Sequence, residues 1–424
     1  MGFADNYLSK QRGFKPWFTF RPSEKLSYIV VIPAFREPDL NTALDSLWHC
    51  TRPQGHVEVI IVLNLPENAD ATLKAYHQRL ADETVKWTNL RSTGDFRFLV
   101  MHTFQMPVKD AGVGLARKRG MDEAVYRFNL NSDPHGIVLC FDADSSCDAN
   151  YFTAIEETLF QNPATKGFNV YFEHPYFLPG THQVNQGILM YEMHLRCLNL
   201  FTRFTGFPFA FHTIGSCFGV RATIYAQQGG MNKRKAGEDF YFLHKVIPLG
   251  NFEEINSTKV VPSPRESDRV PFGTGAAISK YLASGEDILT YAPQCFFQLQ
   301  QFFQIVGSLY MQPKEELAHT IAMLPPPLHE YLHELEAAEA IHEINANCSS
   351  LASFKIRFFR WFDAFRVIKF LNYASIQCFD KISVTEAAIR ILALTGNVVR
   401  TEISNEELLL LLRQIERSRV IHPQ

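Results

Sequence analysis

Ile137-Val138-Leu139-Cys140-Phe141-Asp142-Ala143-Asp144 is an unbroken apolar run that ends in two aspartates one residue apart. Apolar residues without alternation read as a strand buried on both faces, as in a parallel sheet covered by helices. Two carboxylates at such a strand end can hold a hard divalent cation from one side, leaving the other side for phosphate oxygens and water. Asp-x-Asp is also a common turn and cap former, so the strand-terminal position gives the pair its weight. A second acidic step, Gly237-Glu238-Asp239-Phe240, precedes a helix-like segment far down the chain. It could supply a base. Cation, diphosphate and base together suggest transfer of a group from a nucleotide-activated donor.

Three more strand-like runs lie upstream: Tyr28 to Ile32, which stops at Pro33, then Val57 to Leu63, then Phe98 to Met101. Leu40, Ala43, Leu44 and Leu47 follow helical spacing between the first two strands, and Met121, Ala124, Val125 and Phe128 do so before the fourth. This alternation predicts an α/β, doubly wound, mostly parallel, Rossmann-like sheet. Ligands in such sheets bind outside the carboxyl ends of the strands, where Pro33 to Glu37 and Asp142 to Asp144 fall. Asp148 reads as the cap of a helix holding Ile155 and Leu159. Residues 145–290 are less regular. Beyond them the pattern turns helical, with capping boxes at Ser383–Glu386 and Ser404–Glu407, and with Gly396 placed to stop the first of those helices.

The chain has 424 residues, 46% of them apolar, which suits one large domain with an appendage. Lys and Arg number 41 against 44 Asp and Glu, a balance that gives no electrostatic case for nucleic acid. The eight cysteines have no CxxC pair or regular spacing. They read as reduced, mostly buried thiols of a cytoplasmic protein. Residues 1–25 have no apolar core of a secretion signal. Phe204 to Val220 is the nearest approach to a membrane span, but its Gly, Pro, His, Ser and Thr favour a buried loop and strand.

Five segments in order carry a family resemblance. Ile29-Val30-Val31-Ile32-Pro33-Ala34-Phe35-Arg36-Glu37 resembles the opening strand of family 2 glycosyltransferases of the GT-A fold. Ala111 to Gly120 resembles the segment before their metal strand, and Phe141-Asp142-Ala143-Asp144-Ser145 resembles their DxD motif. Gly215-Ser216-Cys217-Phe218-Gly219-Val220-Arg221 resembles the strand beneath the acceptor. Gly229-Gly230 with Gly237-Glu238-Asp239 resembles the approach to their ED motif.

The resemblance implies a GT-A domain at residues 27–290, after a 1–26 extension and before a helical 291–424 region. It implies an inverting, metal-dependent transfer of sugar from a nucleotide diphosphate sugar to a hydroxyl acceptor. Asp239 is carried over as the base. Glu238, Gly215 and Ser216 are carried over to the acceptor. Asp142 and Asp144 are carried over to Mn²⁺ or Mg²⁺. Pro33, Ala34, Glu37, Asn64, Arg117 and Asp142 are carried over to the donor, with Arg265 and Arg269 as candidates for the diphosphate. A UDP-sugar is the favoured donor and a GDP-sugar the other. The acceptor is a glycan or a lipid-linked hydroxyl. Asn64 stands where the family often has an acidic residue, and the Gln-x-x-Arg-Trp motif of processive members is missing, so a non-processive enzyme is expected. A retaining transferase, a nucleotidyltransferase and a non-catalytic sugar-binding protein stay open as alternatives.

Two stretches compete for other readings. His329-Glu330-Tyr331-Leu332-His333 matches HExxH, a zinc-protease pattern, but follows three prolines and reads more simply as an acidic surface helix. Phe354 to Tyr373 mixes Arg and Lys with aromatics. It reads either as a peripheral contact on the inner face of a membrane or as a helix packed with its bases outward. The second is the commoner origin of such a pattern.

Overall fold

The computed structural model describes residues 2–177, 182–265, 274–285, 287–397, 400 and 402–418. The chain divides into two compact units. The first comprises Met1–Pro175, Thr213–Ser263 and Asp268–Gly273. The second comprises Tyr176–His212, Pro264–Ser267 and Thr274–Gln424.

The first unit is built on one eight-stranded sheet. Its strands are β1 (Leu26–Ala34), β2 (His56–Pro66), β3 (Phe96–Met106), β4 (Ile137–Cys140), β5 (Ser146–Cys147), β6 (Gly167–Phe172), β7 (Phe218–Arg221) and β8 (Phe252–Val261). The order is β3-β2-β1-β4-β7-β6-β8-β5. The pairs β2·β3, β1·β2, β1·β4 and β6·β8 are parallel, while β7 runs antiparallel to both neighbours and β5 runs antiparallel to β8. The α/β, mostly parallel sheet expected from the apolar runs is therefore the fold. In β1, β2 and β4 nearly every residue is buried, as strands covered on both faces require.

Interspersed with the strands in sequence are α1 (Asp5–Lys10), α2 (Leu40–Trp48), α3 (Ala71–Arg91), α4 (Val113–Leu130), α5 (Tyr151–Gln161), α6 (His182–Phe204, in the second unit), α7 (Ala222–Gln227) and α8 (Glu238–Val246). The periodic residues Leu40, Ala43, Leu44 and Leu47 are the buried face of α2. Met121, Ala124, Val125 and Phe128 are buried on α4. The chain leaves β1 for β2 and β3 on one side, while β4 pairs on the other. That reversal of winding makes the carboxyl ends of β1 and β4 a topological switch point, where open α/β sheets bind their ligands.

The N-terminal segment is strapped along α4. The Tyr7 hydroxyl donates to Asp122 Oδ1 at 2.6 Å, and Tyr225 donates to the same oxygen at 2.8 Å. Lys118 reaches both Tyr7 and Asp122. Farther along α4, Glu123 accepts from the Trp17 and Phe18 amides, and Arg127 pairs with Glu58 beneath the Phe18 and Phe20 rings. Each of these inward charges on α4 thus has a partner, as burial demands.

The second unit is helical. Its core mixes leucines with phenylalanines, among them Phe201, Phe296, Phe302, Phe358, Phe362 and Phe370. Here Ser383 and Ser404 cap their helices as expected, and Ser404 and Glu407 bond reciprocally. Gly396 turns left-handed (φ 79°) after Leu394. Phe354 to Tyr373 forms two helices rather than one, broken where Asp363 caps the second through the Arg366 amide. Phe354, Phe358 and Phe362 point inward while Lys355, Arg357 and Arg360 are exposed, the packed arrangement with bases outward. The His329–His333 stretch lies on a short helix whose Leu328, Tyr331 and Leu332 are buried. Among the described residues, no helix is long and apolar enough to cross a membrane.

Candidate active site

β4 pairs with β1 as far as Cys140 opposite Val31, and the Phe141 amide still donates to the Val31 carbonyl. The chain then turns through Asp142 to Ser145, closed by a bond from the Ser145 amide to the Asp142 carbonyl at 3.1 Å. Asp142 and Asp144 are half-buried on this turn. The Ser145 hydroxyl next to them is buried and has no hydrogen-bond partner among the described residues. Asp148 does not cap α5, whose N-cap is Asn150. Asp148 instead offers its carbonyl to the Tyr151 amide.

The acidic step arrives from elsewhere in the sheet unit. Gly237, left-handed at φ 69°, turns the chain into α8, so that Glu238 and Asp239 fall in the first helical turn. Partial positive charge at a helix N-terminus favours acidic residues there. Glu238 is buried. Its Oε1 accepts from Arg117 Nε at 3.1 Å, and Arg117 Nη2 donates to Asp142 Oδ1 at 2.8 Å. Arg117 Nη1 donates to the Gly215 carbonyl at 2.9 Å. One buried guanidinium on α4 therefore ties together the β4 turn, the loop before β7 and the start of α8.

Gly215 has no room for a side chain. A Cβ there would lie 2.9 Å from Arg117 Nη2 and 3.1 Å from Asp239 Oδ2. Asp239 thus stands at the same cluster, half-buried, with its Oδ1 accepting from the Phe240 amide at 2.7 Å. Burial first, and then the neighbouring Glu238, push its carboxyl up to about 7, against the pull of Arg117. A carboxyl poised near neutrality can give up and take a proton under physiological conditions.

The expected residues fall into three groups. Asp142, Arg117, Gly215, Glu238 and Asp239 come together, with Asp144 two residues beyond Asp142 on the same turn and Ser216 next to Gly215. Pro33, Ala34 and Asn64 lie at the carboxyl edge of β1 and β2, where Ala34 is in register with Leu63. Glu37 is buried there and accepts from the Asp39 amide at 3.4 Å. Arg265 belongs to the second unit. Arg269 lies outside the described residues. Arg117 differs in character from a free donor ligand, because Nε, Nη1 and Nη2 each have a protein acceptor. Its place in the cluster comes from the α4 register, which a sequence motif does not display.

Among the described residues, no three His, Cys, Asp or Glu side chains stand together as a ready metal cage. Two half-buried carboxylates on one turn fit a different kind of site. There a hard cation takes one or two carboxylates and completes its shell with phosphate oxygens and water.

No family model and no curated protein matches the chain. Solved structures do resemble it. One is S. aureus TarS 1-349 in complex with UDP-GlcNAc, at 12% identity and TM-score 0.38, over 74% of this chain and 88% of that one. The same protein in complex with UDP matches at 12% identity and TM-score 0.37, over 89% and 94%. The mannosyltransferase PcManGT of Pyrobaculum calidifontis, in complex with GDP-Man and Mn2+, matches at 15% identity and TM-score 0.33, over 85% and 93%.

Proposed function

We propose that this protein is a GT-A-type, family 2-like glycosyltransferase that moves a sugar from a nucleoside diphosphate sugar to a hydroxyl acceptor, with inversion and one sugar at a time. The observation that carries this reading is the meeting of Asp142, Arg117, Glu238 and Asp239 beside the sheet's switch point.

Asp239 is the general base. A sugar hydroxyl is a poor nucleophile until its proton is drawn off in the transition state, and a carboxyl near pH 7 suits that task. Glu238, fixed by Arg117, orients the acceptor side of the cluster together with Gly215 and Ser216. Arg117 acts by holding Asp142 and Glu238 at a fixed separation, so the two halves of the site need no rearrangement when substrates arrive. Asp142 and Asp144 would hold Mn²⁺ or Mg²⁺, which supplies charge neutralisation for the leaving diphosphate. Pro33, Ala34, Glu37 and Asn64 form the edge that receives the nucleotide. UDP-sugars are favoured and GDP-sugars are the second choice. The acceptor is a glycan or a lipid-linked hydroxyl.

The test is incubation with UDP- and GDP-sugars, Mn²⁺ and a panel of hydroxyl acceptors. The readouts are nucleoside diphosphate release and the anomeric configuration of the product. Release coupled to an inverted glycoside supports the reading. Retained configuration overturns the inverting mechanism, and tight nucleotide binding without turnover makes the protein a binding module.

A further inference from the structure

The loop after β1 turns through Arg36, held at φ 48°. Residues with long side chains seldom take this left-handed conformation, and where they do the surrounding structure must hold them there. His77 on α3 holds it from one side, its Nε2 accepting from the Arg36 amide at 3.3 Å. His77 is fully buried. Phe35 lies 5.5 Å and Phe104 6.0 Å from its ring.

Its other nitrogen, Nδ1, is buried and has no hydrogen-bond partner among the described residues. Because Nε2 accepts, the proton of the neutral ring is assigned to Nδ1. Burial, and then the charge of Arg36, push the imidazole down to about 4. At neutral pH the ring is therefore uncharged and keeps its acceptor lone pair. The titratable groups around it are Arg36 on the loop, Tyr76 beside it on α3, and His102, which stacks on Phe104 from β3. A left-handed arginine and an orphaned buried N–H both cost stability. Both sit at the carboxyl edge of β1, on the ligand-binding side of the sheet.

We propose that His77 is a positioning residue: its imidazole fixes the Arg36 turn, and through it Pro33, Ala34 and Glu37, in the shape that receives the nucleotide half of the donor. This rests on the donor reading above. It adds a residue from a helix that carries none of the motifs.

The experiment pairs a structural readout with a binding one. The probes are UDP and GDP with Mn²⁺, measured by calorimetry. Amide hydrogen exchange over residues 33–39 reports the turn itself. H77F keeps a ring of similar size but no acceptor. It is expected to lose protection at Arg36 and to weaken diphosphate binding about ten-fold. H77Q, whose amide oxygen can accept, keeps most of both. Arg36→Gly in the H77F background restores binding, since glycine takes a left-handed φ without strain. Arg36→Val leaves His77 intact but resists the left-handed turn, so it tests the same link if H77F does not fold. Wild-type affinity in H77F or in Arg36→Val overturns the proposal. If the wild-type chain binds neither diphosphate, the donor reading itself fails and His77's role falls with it. That result is distinguishable because the exchange protection at Arg36 is measured separately.

Discussion

Arg117 and Glu238, 121 positions apart in sequence, form a buried ion pair at 3.1 Å, with both side chains almost fully enclosed. The same guanidinium holds Asp142 at 2.8 Å. Removing one partner of a buried pair strands the other's charge and typically costs more than the pair contributes. Arg117→Met is therefore expected to lower unfolding free energy by about 3 kcal/mol, read from the urea midpoint at unchanged slope. A loss well under about 1 kcal/mol would show that the pair is solvated or dispensable.

Gly215 lies against both Arg117 and Asp239. A methyl group 2.9 Å from the guanidinium and 3.1 Å from the carboxylate must displace one of them. Overpacking of this kind costs about 1–3 kcal/mol, and it crowds Asp239, the proposed base, directly. Gly215→Ala is expected to cut turnover about ten-fold or more while nucleotide affinity changes less. Equal losses in affinity and turnover would mean that the shift reaches the nucleotide edge instead.

The raised carboxyl of Asp239 makes a prediction about pH. A base must be ionised to act, so turnover should rise with pH through a limb centred near the value of about 7. The sign for stability is opposite. The folded state binds the proton more tightly than the unfolded chain does, so this group's contribution to stability declines as pH rises from the ordinary carboxylate range through about 7. Asp239→Asn removes that decline. Its thermal midpoint is expected to fall less than wild type between about pH 5 and about pH 8. Parallel curves for the two proteins would place the titration elsewhere.

Tyr7 donates to Asp122 at 2.6 Å and accepts from Lys118 at 3.0 Å, tying the N-terminal segment to the helix that carries Arg117. Tyr7→Phe keeps the ring and removes the hydroxyl from a charged acceptor. The expected cost is about 2 kcal/mol, measured by denaturant unfolding. No change would mean that Tyr225, which bonds the same oxygen, and Lys118 together satisfy Asp122.

Some of this architecture was legible because burial on both faces leaves a plain mark. The continuous apolar runs of β1, β2 and β4 could hardly be anything else. The 21-residue helix α3 left no such mark, although its inward positions His77, Ala81, Thr84, Trp87 and Thr88 recur at helical spacing. Two threonines and a histidine occupy them, so a search for apolar periodicity passes over the helix, and over His77 with it. The aspartates of the cluster were legible as motifs because strand ends and helix starts concentrate chemistry. Arg117's three-way role was not. It depends on how α4 is turned against the sheet, and on a glycine in another segment that leaves room for it. The N-terminal strap was invisible for a similar reason. A polar, mixed segment reads as a loose extension, and only the buried charges awaiting it on α4 show why it packs.

The most direct measurement is Asp239→Asn assayed side by side with wild type, for nucleotide-sugar binding by calorimetry and for sugar transfer in the presence of Mn²⁺. If the cluster is the reacting centre, binding stays within about two-fold while transfer falls by at least ~100-fold, the usual effect of removing a general base. Transfer by the variant at the wild-type rate would contradict it.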